Sequence, residues 1–246
     1  MIDGNGTVTT FTTDSTPAAP ASGQARFVGT TLVAASVLAL AGNLLHPRWS
    51  DDDVTAYGQM ARSALMPAAD VVLLAAFLLM TVGLVALVDG LRGNSSLKQT
   101  GRLAALIGGS IAIIQTCIEL YGLHQEARTF ASIPSGGNNV APFFATNAIE
   151  GISDALFAAW GLILLGIAPI LITLALRKAA RCPMWLAVVG FVGGALCVGV
   201  GIFDLLHDDQ GDANIPFLVG SLLVTVWLVG CGWLNLVRQR EAVVID

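Results

Sequence analysis

The chain has 246 residues, of which 55% are hydrophobic and only 12% charged, with a mean hydropathy of +0.75 and a formal net charge of −5. A water-soluble domain of this length has no room to hide so much apolar surface, and twelve scattered Lys and Arg residues make no basic nucleic-acid-binding face. The composition is that of a polytopic membrane protein whose first partner is the lipid bilayer.

Residues 1–25 are rich in Thr, Ser, Ala and Gly, with neither a basic n-region nor an apolar run before Phe27. They read as a disordered tail and not as a cleaved signal peptide. Apolar windows of about 20 residues then predict helices near 26–46, 66–91, 102–124, 147–176, 183–207 and 214–237, numbered here as spans 1 to 6. The expected fold is all-α: a transmembrane domain over 26–238 made of three consecutive helical hairpins, followed by a short tail at 239–246.

The distribution of charge sets the expected orientation. Arg26, Arg92, Lys98, Arg102, Arg177, Lys178, Arg181, Arg238 and Arg240 fall on the side of the two termini, whereas only Arg48, Arg62 and Arg128 fall opposite. This asymmetry predicts a plasma-membrane protein with both termini cytoplasmic. The outer side then carries the acidic runs Asp51-Asp52-Asp53 and Asp208-Asp209 with Asp212. The inner connections at 92–101 and 177–182 are short, while the outer loops 47–65 and 125–146 are longer. In the second outer loop, the turn Pro134 to Asn139 precedes an apolar patch, Val140 to Phe144, suited to the interface or to a lid; a plain connector is the alternative.

A weak repeat runs through the odd-numbered spans. Asn43-Leu-Leu-His46, Tyr121-Gly-Leu-His124 and Asp204-Leu-Leu-His207 close spans 1, 3 and 5, and they contain all three histidines. Within each, the first residue and the His are three apart and share a helix face, so Asp204 and His207 are expected to pair. Small residues mark close packing: Gly190 and Gly194, with the stripe Gly193, Cys197, Gly201, lead to Asp204 in span 5. In span 3, Gly108, Ala112, Gln115, Glu119, Gly122 and Glu126 keep the same rhythm, as do Asn147, Glu150, Asp154, Ala158 and Gly161 in span 4, before Pro169 introduces a kink. Cys117, Cys182, Cys197 and Cys231 have no paired spacing and read as small packing residues.

Asn43, Asp70, Glu119, Asp154 and Asp204 each lie about one turn inside the outer face, on five different spans. Ionisable groups there cost several kcal/mol unless paired, wetted or neutralised, so the ring marks a candidate site. Ordinary helix ends account for part of it. Asp70 and Glu150 suit a first turn, where the macrodipole favours negative charge, and each His suits a helix C-terminus. Glu119 and Asp204 sit near C-terminal ends, where the dipole repels a carboxylate, and capping does not explain them. The expected catalytic groups are therefore Glu119, Asp204, Asp154 and His207, with Asn43, His46, Asp70, Gln115, Tyr121, His124 and Glu150 lining a substrate pocket.

A neutral carboxylic acid in an apolar pocket, beside a better-solvated carboxylate or imidazole, is a general acid–base set. It fits cyclisation, isomerisation or hydrolysis of a lipophilic small molecule. Imidazole and carboxylate also ligate zinc, but with neither an HxxxH nor an HExxH spacing every ligand must come from a different helix, so no cofactor is expected and zinc is the less favoured option. Ser153 adjoins Asp154 without a nucleophile elbow. The second functional reading is non-enzymatic: a proton-coupled carrier, an exporter accessory or an immunity-type protein. Confinement of the polar residues to one side argues against alternating access.

The segment Gly42-Asn-Leu-Leu-His-Pro-Arg48, with its acidic cluster just beyond, resembles a motif of uncharacterised six-span membrane proteins of actinobacteria. The resemblance implies a bacterial protein of that architecture and brings no activity with it. In layout the chain is also similar to small integral-membrane terpene cyclases, which place helix-borne carboxylates around a lipid-accessible cavity; that likeness carries no residue across.

Overall fold

The computed structural model describes residues 22–47, 50, 52–91, 93, 95–133, 140–206 and 214–243. Among the described residues every regular element is helical, and six helices are long and apolar enough to cross a membrane. The protein is thus all-α and polytopic. Span 1 is α1 (Ser22–Leu45), followed by the short α2 (Asp53–Arg62) and by span 2, α3 (Leu65–Asp89). Span 3 is continuous from Ser96 to Ala131, as α4 (Ser96–Cys117), a π-turn (Ile118–Leu123) and α5 (His124–Ala131). Span 4 repeats the design with α6 (Val140–Trp160), a π-turn (Gly161–Ile167) and α7 (Ala168–Lys178); spans 5 and 6 are α8 (Met184–Leu206) and α9 (Asn214–Val243).

The helices outrun the apolar windows. α1 starts at Ser22, inside the segment read as a tail, and α9 runs to Val243, past residue 239. Span 3 begins six residues early and continues to Ala131; span 4 begins at Val140 and not at 147. Hydropathy marks what lipid will accept, whereas segments such as Ser96-Leu-Lys-Gln and Arg238-Gln-Arg-Glu-Ala continue a helix on intrinsic propensity. α2 was expected as loop. Asp52 caps it by accepting from the Thr55 N–H at 2.9 Å; the Thr55 hydroxyl first, and then this N–H, hold the Asp52 carboxyl below its usual range, and Ala56, Tyr57 and Met60 form the buried face of α2.

Each span packs on the next in sequence, and α9 returns to α1, so the six close into a ring. Small residues allow the approach. At Gly108 a Cβ atom would stand 2.6 Å from the backbone nitrogen of Leu164; at Gly193, 2.9 Å from Leu223 Cβ; at Gly201, 2.8 Å from Leu162 Cβ. The small stripes of spans 3 and 5 are therefore packed faces, as their spacing implies. Pro169 is absorbed by the π-turn before it, where the Ala168 N–H bonds the Ile163 carbonyl five residues back. At the end bearing the termini, Lys98 Nζ donates to the Leu91 carbonyl (2.7 Å), Arg181 Nη1 to that of Gly90 (2.9 Å) and Arg177 Nη1 to that of Cys182 (2.9 Å). None of the four cysteines is joined in a disulfide.

Gly108→Ala should force span 3 away from the Gly161–Ile167 turn and cost about 1–3 kcal/mol, because the nearest obstacle is backbone. Gly151, exposed with open space around it, should accept Ala with unchanged or slightly raised stability. Thermal unfolding of the two variants in detergent checks the contrast, and similar behaviour would contradict the packing.

Candidate functional site

Three spans deliver ionisable side chains to one point at the end of the bundle opposite the termini. α1 stops at Leu45 because the next residue, His46, precedes Pro47 and is pushed out of helical conformation. In this bend the His46 Nδ1–H donates to the Pro47 carbonyl at 3.3 Å, so in the neutral imidazole Nε2 is the lone-pair nitrogen; it stands 3.8 Å from Asp70 Oδ1, too far for a hydrogen bond. Asp70 is 0% exposed, and neither of its oxygens accepts a hydrogen bond. Glu119 comes from the first π-turn, where the His124 N–H reaches back five residues to the Glu119 carbonyl. One ligand-capable atom from each of His46, Asp70 and Glu119 lies within 4.8 Å of the other two.

A directed network orients Glu119. Trp160 Nε1–H donates to Gln115 Oε1 (3.3 Å), and Gln115 Nε2 donates to Ser153 Oγ (3.0 Å) and to Glu119 Oε1. Ser153 Oγ donates to the same Glu119 oxygen at 2.9 Å. Both bonds end on Oε1, which leaves Oε2 for a different partner. Beneath the network Trp160 stacks edge-on to Phe77 (4.8 Å) and Phe157 (5.2 Å), and this closes the site toward the membrane interior.

A second layer lies further out. Tyr57, Met60, Met66, Leu123, Ala127 and Phe130 form a separate apolar cluster that docks α2 on α5. The Tyr57 hydroxyl donates to Glu150 Oε2 at 2.7 Å and so ties α2 to α6. Burial first, and then the Glu150 carboxylate, push the Tyr57 phenol above the usual tyrosine range.

The structure sorts the expected residues accordingly. His46, Asp70, Glu119 and Gln115 come together. Glu150 belongs to the outer layer, and His124 is buried on α5, so of the two described histidines only His46 is in the triad. Asn43 is exposed with its Nδ2 donating to the Ala39 carbonyl, and Tyr121 is 73% exposed. Exposed Tyr121 and buried His124 do not share the face expected within their tetrapeptide, because the π-turn between them widens the spiral. Asp154 neighbours the Tyr57–Glu150 pair, while Ser153 faces the network. Asp204 on α8 is half-buried with an unbonded Oδ1 and is outside the triad; His207, its expected partner, and the turn 134–139 lie outside the described residues.

Capping does not account for the acidic residues that it was expected to explain. Asp70 is the sixth residue of α3 and Glu150 the eleventh of α6, both beyond a first turn, and Glu119 lies in mid-helix and not near a C-terminus. Sequence reasoning passed over Tyr57 and weighed Ser153 only as a nucleophile. The i, i+3 spacing of Tyr57 and Met60 behind the Asp52 cap was the available signal for α2; nothing local marks Ser153. No protein-family model, curated protein or solved structure matches the chain.

The raised Tyr57 value means that the folded chain holds the phenol proton more tightly than the unfolded one. The docking of α2 is then intact below the ordinary tyrosine value of about 10 and weakens as pH climbs through the higher one. Phenolate absorbance should show a late-titrating tyrosine that Tyr57→Phe removes, and hydrogen exchange over 53–62 should quicken in that variant. An unchanged alkaline titration would contradict the Tyr57–Glu150 bond.

Proposed function

We propose that the chain is a plasma-membrane enzyme with cytoplasmic termini, whose outer-side centre performs proton-transfer chemistry on a lipophilic molecule, as a cyclase, isomerase or hydrolase. The carrying observation is the convergence of His46, Asp70 and Glu119 from three spans, with Asp70 fully buried and unbonded. A buried acceptor without a partner costs roughly 1–3 kcal/mol, and more when charged. Helix packing needs no such group at this position: an Ala or Leu would pack without that penalty. Imidazole and carboxylate in one water-poor space are a proton-transfer set, and a bilayer-embedded centre favours substrates that partition into lipid. The excess of basic residues at the terminal end supports the orientation.

Two measurements test this reading. In a cysteine-free background, Ser132→Cys should react with an impermeant thiol reagent applied to intact cells, and Ser96→Cys only after permeabilisation; the reverse would overturn the orientation. Purified protein in liposomes of bacterial lipid extract should convert at least one lipid species detectable by mass spectrometry. Glu119→Gln should slow that conversion by roughly 10²–10⁴-fold with helical content retained. No conversion by the wild type, or equal conversion by the variant, would overturn the enzymatic reading.

A further inference from the structure

We propose that His46 Nε2, Asp70 and Glu119 Oε2 together bind one first-row divalent cation, zinc foremost. The inference rests on the triad being the working centre and adds a cofactor to it. Three features of the site point to a cation. The ligand atoms are of the right type, one imidazole nitrogen and two carboxylates, and three protein ligands with a fourth position left for water is the pattern of catalytic zinc. Asp70, 0% exposed, has two oxygens without a hydrogen bond, one of which, Oδ1, stands 3.8 Å from His46 Nε2. Glu119 is held by Gln115 and Ser153 through Oε1 alone, the arrangement in which an outer shell fixes one oxygen and frees the other for a metal.

Charge leads to the same conclusion. Among the described residues no Lys or Arg pairs with Asp70 or Glu119. A dication beside two carboxylates and a neutral imidazole makes a cluster of zero net charge, which low-dielectric surroundings favour over two uncompensated anions. The His46 tautomer agrees, since Nδ1–H bonded to the Pro47 carbonyl leaves the lone pair on the nitrogen facing Asp70. Tetrahedral bonds of about 2.0–2.1 Å put ligand atoms roughly 3.4 Å apart. The present spacings, 3.8 Å for His46–Asp70 and up to 4.8 Å overall, therefore close inward around a bound ion, through the rotatable Glu119 and the helix-end His46. The bound ion would supply Lewis acidity and an activated water.

The test uses the full chain in nanodiscs, stripped with a chelator and titrated with Co²⁺ as a spectroscopic probe and with Zn²⁺. We expect one equivalent per chain, a cobalt d–d spectrum of low coordination number, and a higher Tm on loading. Asp70→Asn and His46→Gln should lose at least 90% of the bound metal, whereas Asp53→Asn, an acidic change on exposed α2, should retain it. His46 is half-buried, so His46→Gln keeps the test decisive should Asp70→Asn fail to fold, and circular dichroism verifies each variant. Loading well below one equivalent, or loading that survives His46→Gln, overturns the proposal. Lipid conversion separates it from the enzymatic reading: conversion that persists after complete stripping removes the metal and leaves the centre. If no form converts lipid, the enzymatic reading fails and the cobalt spectrum still decides the metal site.

Discussion

In hydrocarbon a backbone N–H or C=O has no partner except its own helix, and the polar geometry of this protein follows from how its chain satisfies that demand. A helix that must stay hydrogen-bonded through the membrane can redirect its side chains only by changing its winding. Spans 3 and 4 do so at Ile118–Leu123 and Gly161–Ile167, where a π-turn inserts a residue without leaving an orphaned backbone group. The first π-turn carries Glu119 and separates the register of Gln115 from that of His124. The second absorbs Pro169 and brings Leu164 against Gly108, which fixes span 4 beside span 3 and sets Ser153 over Glu119.

This ordering explains why Asp70 lies at the centre of the cluster. α3 is packed between α1 on one side and span 3 on the other. A residue near its distal end can therefore meet the last residues of α1 and the π-turn of span 3 together. His46 reaches that point because Pro47 ends α1 there, not because it continues a helical stripe. Neither the Asp70–His46 contact nor the Asp70–Glu119 contact is local in sequence; each depends on α3 lying between α1 and span 3.

Much of this was legible in the chain, for identifiable reasons. The six spans follow from apolar run length, and the packed faces from small residues at three- and four-residue spacing, as at Gly108 and Gly193. Asp70 and Glu119 stand out because ionisable groups at membrane depth are costly whatever surrounds them, His46 by its place in the repeated tetrapeptide, and Gln115 by the three-and-four rhythm of span 3. Which of the ring's members would meet was not legible. Asp154 and Ser153 are adjacent, and only the rotation of α6 decides that the serine faces Glu119. The π-turns have no sequence signature beyond Pro169, so Tyr121 was assigned inward by a 3.6-residue register that the chain abandons at Ile118. The ends of spans 2 and 5 fall within two residues of the apolar windows, whereas spans 1, 3, 4 and 6 run past theirs, where propensity and not hydropathy governs.

The extra length of spans 3 and 4 has a structural use. Met66 lies four residues before Asp70 on α3, and Leu123 four residues after Glu119, so each is one turn further out on the same side as its triad partner. Both belong to the apolar cluster with Tyr57, Met60, Ala127 and Phe130. That cluster forms because α5 and the start of α6 extend spans 3 and 4 and give α2 a surface to dock on. It therefore lies between the triad and the water beyond the membrane, while the Phe77–Trp160–Phe157 rings close the opposite side. At Asp70, the fully buried member of the triad, the effective dielectric is far below that of water, so uncompensated charge is strongly disfavoured and a counter-charge or a mobile proton is correspondingly favoured. The Tyr57–Glu150 hydrogen bond adds a polar tie between α2 and α6 to that apolar docking, so the seating of α2 above the spans is fixed by contacts made outside the triad.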